Sequence, residues 1–363
     1  MTADDIRLVL RLARGDRAAA VRLAEARTAP FDDLADRALA EGLGVVLFRG
    51  WSALPSGAPF VLSDSYLDAL RARAERQAVR TAAQIDALAH ITDTFAAAGL
   101  SFILLKGPYL AARFYGDPAG REFVDLDLLV RRADRARASE RLTSIGYARR
   151  SRVLGSEALT AWFVHAFDYA DARTYLDLHW CLSRHPPVQV DERRLWSSRG
   201  EWTVGGRGYA VLDAEHDIVF GALSFLRDVE RGRPKAKNVV DLVQLVAAAD
   251  TDLDWEAVFG RARGEGTHGP LVDVLSLCLD VADARDLAPR LDRALTASGR
   301  RAAGTPTDVP FVLPPVIANF GNKRWVARAY DAGWIRWLLW WAVSLPFRLG
   351  VHRGPPPAAR RRI

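Results

Sequence analysis

One stretch limits the folds open to this chain more than any other: Phe123-Val124-Asp125-Leu126-Asp127-Leu128-Leu129-Val130. In a strand, successive side chains point to opposite faces. Asp125 and Asp127 therefore share one face, and Leu126 and Leu128 share the other. The stretch reads as a strand with its apolar side on a core and its acidic side on a cleft or on solvent. Two carboxylates ~7 Å apart along a strand repel unless a cation or solvent offsets the charge. A hard divalent ion such as Mg²⁺ or Mn²⁺ relieves that repulsion and binds substrate phosphates as well. The alternative is a solvated strand face, because an isolated Asp-x-Asp is common.

The surrounding pattern is mostly helical. Residues 4–14, 31–43 and 63–98 are rich in Ala, Leu, Arg and Glu, with apolar residues at three- and four-residue spacing. At Gly99 the pattern changes. Residues 100–105 read as a short buried strand, and 108–115 as a helix with Pro108 in its first turn. A loop over 116–120 leads to the acidic strand over 122–130, then a helix over 133–145. Three more strands are expected over 147–154, 162–170 and 173–182, the middle one irregular, and a hairpin over 202–212 around Gly205-Gly206. Helices resume over 214–227, 239–249, 255–263 and 270–282. This order predicts an α+β fold: an N-terminal helical region (1–97), a small mixed-sheet core (98–212), a second helical region (213–297), a linker (298–318) and a basic, Trp-rich tail (319–363).

Composition sets outer limits. At 363 residues, 50% hydrophobic and 26% charged, the chain can bury a normal core and is long enough for about two to three units. Cys181 and Cys278 are too few for a disulfide framework or a cysteine zinc site. No apolar signal segment opens the chain, and the apolar run at 337–347 falls short of the ~20 residues that span a bilayer, so a cytoplasmic protein is expected. The net charge of +6 is unevenly spread. Residues 319–363 carry nine basic residues against Asp331, a balance of +8, which leaves −2 for residues 1–318. A body so near neutrality argues against nucleic acid as a partner.

Other residues extend the acidic strand into a constellation. Lys106 and Gly107 stand where the first strand meets a helix, and glycine at such a turn lets backbone come close to a phosphate while Lys106 adds a point charge. An ordinary strand–helix turn is the alternative. Tyr175, Asp177 and His179 share one face of a later strand. If that strand lies beside the acidic one, Asp177 becomes a third carboxylate, and three acids on two strands can hold two metal ions around a phosphoryl group. His179 reads as a core histidine or as a group behind the ligands. Arg121 either pairs with a phosphate or organises its loop through a salt bridge. Lys237, with Lys235 and Asn238, either reaches over a nucleotide or is a solvated helix start.

Taken in order, Leu105-Lys106-Gly107, the run from Leu110 through Phe114-Tyr115-Gly116-Asp117-Pro118, Arg121, Asp125-Leu126-Asp127-Leu128, Gly146-Tyr147 and Leu176-Asp177-Leu178-His179-Trp180 resemble the uncharacterised nucleotidyltransferase family of the polymerase-beta-like superfamily. The resemblance spans residues 99–180 and extends loosely to about 249. It implies a small mixed-sheet nucleotidyltransferase core. It implies Asp125, Asp127 and Asp177 as metal ligands, with Asp177 also a base toward an acceptor hydroxyl; Lys106, Gly107, Arg121 and Lys237 are the candidates to meet the nucleotide. It implies Mg²⁺ or Mn²⁺ and an NTP donor such as ATP, with pyrophosphate leaving. Lys106-Gly107-Pro108 stands where the wider superfamily has Gly-Ser, so the hold on the triphosphate differs. The acceptor, by the body's charge, is a small molecule or a peptide.

Two other readings use the same residues. A glycosyltransferase would hold a metal and a sugar nucleotide on Asp125 and Asp127, but leaves Lys106-Gly107 and Asp177 without a role. A catalytically silent module would bind a partner or membrane through the tail. There Trp334, Trp337, Leu338, Trp341 and Leu345 recur at helical spacing, so a helix is expected that docks on the body, on a partner protein or peripherally in a membrane interface.

Overall fold

The computed structural model describes residues 1–151, 156–183, 185, 188–232 and 234–298. The chain from 299 onward, including the tryptophan-bearing tail, lies outside the described residues. Within them, β1 (Phe102–Leu104), β2 (Asp125–Val130), β3 (Ala148–Arg149), β4 (Ala166–Ala170), β5 (Tyr175–His179), β6 (Gly200–Val204) and β7 (Arg207–Val211) form one sheet in the order β3-β4-β5-β2-β1-β7-β6. β2 runs parallel to β5 and antiparallel to β1. β4 lies antiparallel to β5, and β7 parallel to β1. The acidic strand is thus central, with a hydrogen-bonded neighbour on each side. Its apolar face is fully buried: Leu126 and Leu128 lie opposite Leu176 and Leu178, and none of the four is exposed. Truncating any of them to alanine costs about 2–5 kcal/mol, so the register that aligns the acids is fixed from behind.

Helices enclose this sheet, giving the α+β architecture. The N-terminal part is α1 (Ala3–Ala13), α2 (Arg17–Glu25), α3 (Phe31–Glu41), α4 (Gly44–Ser52) and α5 (Asp64–Ala97). Between the strands come α6 (Pro108–Tyr115), α7 (Arg135–Ser144), α8 (Glu157–Phe163) and α9 (Glu192–Ser197). The C-terminal part is α10 (Ala214–Glu230), α11 (Ala236–Ala249), α12 (Trp255–Glu265), α13 (His268–Ala282) and α14 (Pro289–Ala297). No helix among the described residues is long and apolar enough to cross a membrane.

α5 does more than cover the sheet. Its buried residues Leu70, Gln77, Thr81, Gln84, Leu88, Ile91 and Phe95 repeat at three- and four-residue steps after the first, so one stripe faces inward. The polar members of that stripe meet the backbone just before β2. Gln77 accepts from the Phe123 N–H at 3.4 Å, Gln84 donates to the Val124 carbonyl at 3.0 Å, and Arg80 donates to the Phe123 carbonyl at 3.3 Å. Strand pairing does not reach these two residues, and the long helix meets both Phe123 groups and the Val124 carbonyl instead.

Several elements differ from the sequence expectation. The expected strand over 162–170 begins only at Ala166. Residues 157–163 are α8, whose helical bonding continues to the Val164 N–H on the Thr160 carbonyl. The strand over 147–154 is two residues long among those described. α2, α4 and α14 fall within the expected helical regions without being singled out there, and α9 carries no sequence expectation. α4 contains Gly44 and Gly50, which serve packing. A Cβ on Gly50 would stand 2.6 Å from the Leu12 Cβ, so glycine there permits α4 to lie close on α1. The hairpin forms as expected, with Gly205 and Gly206 both at positive φ, as a tight two-residue turn requires.

Candidate functional site

The pairing of β2 with β5 brings the acids together. In its register Asp127 lies directly opposite Asp177, and Asp125 opposite Tyr175. One strand further, Asp168 on β4 lies opposite Asp177. Asp127, Asp177 and Asp168 therefore form a row across three adjacent strands. Donor atoms of Asp127, Asp177 and His179 lie within 4.8 Å of one another, the set among the described residues that could hold a metal ion. Asp125 stands outside that set, on the same face and more exposed. Asp127 is 1% exposed, and its Oδ2 has no hydrogen-bond partner among the described residues. A buried carboxylate oxygen without a donor is costly unless a cation or ligand meets it.

The charges around this row are unequal. Burial pushes the Asp127 carboxyl up, but Lys106, His179 and Arg227 outweigh it and hold the carboxyl below the usual range. Lys106 Nζ lies 3.3 Å from Asp127 Oδ1. Burial works against the charged form of Lys106, yet Asp127 and Asp125 overcome it and the ammonium titrates above its ordinary value. Asp177 has the opposite fate. Burial, then Asp125, Asp168 and Asp127, all raise its carboxyl well above the usual range, and Lys106 offsets this only in part. The two neighbouring acids are thus shifted in opposite directions, as expected when like charges share a site. Burial keeps His179 neutral. Its Nε2 is 3.0 Å from Asp127 Oδ1, so it donates to the carboxylate and orients it.

The turn between β1 and α6 faces the same acids. Leu105 donates its N–H to the Asp127 carbonyl at 2.9 Å, which ties the turn to β2. Gly107 has φ +91°, a backbone state that side chains with a Cβ avoid, and it lies beside the Phe123 ring. Pro108 then opens α6, where a missing N–H costs nothing. The turn is held from behind by Tyr109, whose hydroxyl contacts both the Leu105 carbonyl and the buried carboxylate of Asp217 on α10.

Arg121 takes the salt-bridge alternative. It is 3% exposed, and its Nε lies 2.8 Å from both oxygens of Asp241 on α11. Tyr115 donates to the same carboxylate at 2.7 Å. The guanidinium therefore clamps the loop that leads into β2, and its forked donors are taken up within the protein. Lys237 is half-buried, with its stem over Gly42 and its Nζ donating to the Glu122 carbonyl at 3.1 Å. Burial, then repulsion from Arg121, brings its ammonium down to about 8.

Asp125, Asp127, Asp177 and Lys106 converge on one face, with Gly107 on the adjoining turn. Lys237 approaches from the helical side, and Arg121 acts through Asp241. Sequence reasoning passed over Asp168, whose segment had no assigned face, and over Gln77 and Gln84, which read as ordinary polar positions of a long helix. No curated protein matches the chain. The pattern of the uncharacterised nucleotidyltransferase family matches residues 28–283. With well over half its length matched, and with three aspartates gathered beside a glycine turn, this chain belongs to the uncharacterised nucleotidyltransferase family.

Proposed function

We propose that this chain is a metal-dependent nucleotidyltransferase that moves a nucleoside monophosphate from an NTP to a small-molecule or peptide acceptor and releases pyrophosphate. The observation that carries this reading is the register of β2 on β5, which sets Asp177 opposite Asp127 within reach of the Lys106-Gly107 turn. The donor set fits a hard divalent ion such as Mg²⁺ or Mn²⁺: carboxylate oxygens, one of them the unpartnered buried Oδ2 of Asp127. Asp125, Asp127 and Asp177 would hold it, with His179 fixing the orientation of Asp127. When bound, such an ion neutralises charge on the phosphoryl oxygens and favours in-line displacement.

The remaining work falls to the chain itself. Lys106 and the backbone at Gly107 meet the phosphates, and Lys237 adds a second ammonium from α11. Arg121, through Asp241, keeps the loop before β2 in place. Asp177, whose carboxyl titrates high, suits proton uptake from an acceptor hydroxyl. As that oxygen attacks the α-phosphorus, a new P–O bond forms, the bond to the β-phosphate oxygen breaks, and pyrophosphate departs with the electron pair.

The Lys106–Asp127 contact is also what a catalytically silent module would carry, since an internal cation already neutralises the key acid. One experiment separates the two. The protein is incubated with each α-³²P-labelled NTP, Mg²⁺ or Mn²⁺, and pooled small metabolites or peptides, and labelled products are resolved by chromatography. Transfer by the wild type and none by Asp127→Asn supports the enzyme; label that moves equally with both proteins, or with neither, counts against it.

A further inference from the structure

Arg227 lies on α10, outside every residue assigned above to the nucleotide. Phe220, Ser224 and Arg227 follow one another at four- and three-residue steps, so they share a helix face. That face crosses the acidic side of the sheet. The Phe220 ring meets His179 edge-on at 6.1 Å between centroids. The Arg227 guanidinium contacts His165 Nε2 through one terminal nitrogen and donates to Ser224 Oγ at 3.3 Å through the other. His165 in turn lies 5.4 Å, ring to ring, from His179.

Two features mark this arginine as prepared for an anion. No carboxylate among the described residues lies within ion-pair distance of it, and its buried Nε has no hydrogen-bond partner. Its partners are an imidazole and a hydroxyl, which position a guanidinium without neutralising it. A half-buried cation left in that state is costly, and the cost is recovered when an anion arrives. With Lys106 on the turn and Lys237 on α11, Arg227 completes a set of three cations carried by three different elements.

We infer that Arg227 is a ligand of the β- and γ-phosphates of the nucleotide, held for that role by His165 and Ser224. This rests on the nucleotidyltransferase reading and adds the group that distinguishes a polyphosphate from a monophosphate. Arginine suits the task because its planar fork can grip two oxygens together.

The test is calorimetric titration, with Mg²⁺ present, of the four NTPs, then of the di- and monophosphate of the nucleotide that binds, and of inorganic pyrophosphate. Wild type, Arg227→Ala, Arg227→Gln and Arg227→Lys are compared, each first shown by circular dichroism to be folded. Arg227→Ala should weaken the triphosphate and pyrophosphate roughly tenfold to a hundredfold and leave the monophosphate within about twofold. Arg227→Lys should recover part of the loss, and Arg227→Gln carries the test if the alanine variant does not fold. Unchanged triphosphate affinity in a folded variant overturns the assignment, as does an equal loss for the monophosphate. A wild type that binds no NTP overturns the nucleotidyltransferase reading and this assignment with it, so the two failures are distinguishable.

Discussion

Replacing Asp177 with asparagine should stabilise the metal-free protein while abolishing its response to a divalent cation. The carboxylate makes no hydrogen bond among the described residues, so asparagine of the same shape removes little that holds the fold. What it removes is repulsion. With donor atoms within 4.8 Å of each other, Asp127 and Asp177 repel, when both are ionised, by about 3.5 kcal/mol at an effective dielectric near 20. Lys106 offsets part of this, and proton uptake by Asp177 limits the rest, leaving a net gain of about 1–3 kcal/mol. In a chain of this size that is a midpoint rise of about 2–6 °C. The sign with pH follows from the raised carboxyl of Asp177. The folded state holds that proton more tightly than the unfolded chain, so the penalty is absent at pH below the unfolded value. It develops as pH rises through the folded value. The gap between variant and wild type should therefore widen with pH. The assay is scanning calorimetry in EDTA, repeated with Mg²⁺, across pH 4 to 9. Wild type should gain stability from Mg²⁺ increasingly as pH rises, and the variant should gain none. A variant that melts below wild type in EDTA at every pH would refute the reasoning, because Asp177 would then be holding the fold through contacts.

Three further predictions concern its neighbours. Lys106 competes with a metal for Asp127, so Lys106→Gln should strengthen Mn²⁺ binding without nucleotide and weaken triphosphate binding; equal weakening of both in titration calorimetry contradicts this. Lys237 has its ammonium lowered to about 8, so the cost of its charged form is present below that pH and fades above it. Nucleotide affinity should decline as pH rises through about 8, and Lys237→Met should bind more weakly at pH 7 and lose that decline; an unaltered profile excludes Lys237 from the nucleotide. Arg121→Met strands the buried Asp241 and should cost about 3–5 kcal/mol in urea unfolding, much of it recovered in Arg121→Met/Asp241→Leu. A loss under about 1 kcal/mol, with nucleotide affinity reduced instead, would return Arg121 to the phosphates.

The parts of this site legible in the sequence are those governed by local periodicity. Alternation placed Asp125 and Asp127 on one face, and Tyr175, Asp177 and His179 on another, because a strand's period of two is a covalent fact. The ordered motifs then named the family. What alternation cannot supply is the neighbour of each strand. Asp127 meets Asp177 across a gap of fifty residues that contains β3 and β4, and only the sheet order fixes that adjacency. Asp168 was missed for the same reason, and because the helix ending at Phe163 obscured where β4 begins. Gln77 and Gln84 were hidden differently: polar residues on a long helix look solvated until the helix is laid against backbone that needs donors and acceptors. Arg227 occupied a helical position like any other, and what sets it apart is that no carboxylate among the described residues forms an ion pair with it.

The central claim is that the aspartates on β2 serve a metal-bound triphosphate. It is tested most directly by thermal unfolding of the wild type and of Asp125→Asn/Asp127→Asn with each NTP and with UDP-glucose, with and without Mg²⁺ or Mn²⁺. A ligand that binds only the folded state raises the midpoint, by about 2.7 kcal/mol of stability at a hundred times its dissociation constant. The account predicts a rise with at least one NTP that requires the metal and is lost in the double variant. A rise confined to the sugar nucleotide, a rise that survives in the double variant, or none with any NTP would contradict it.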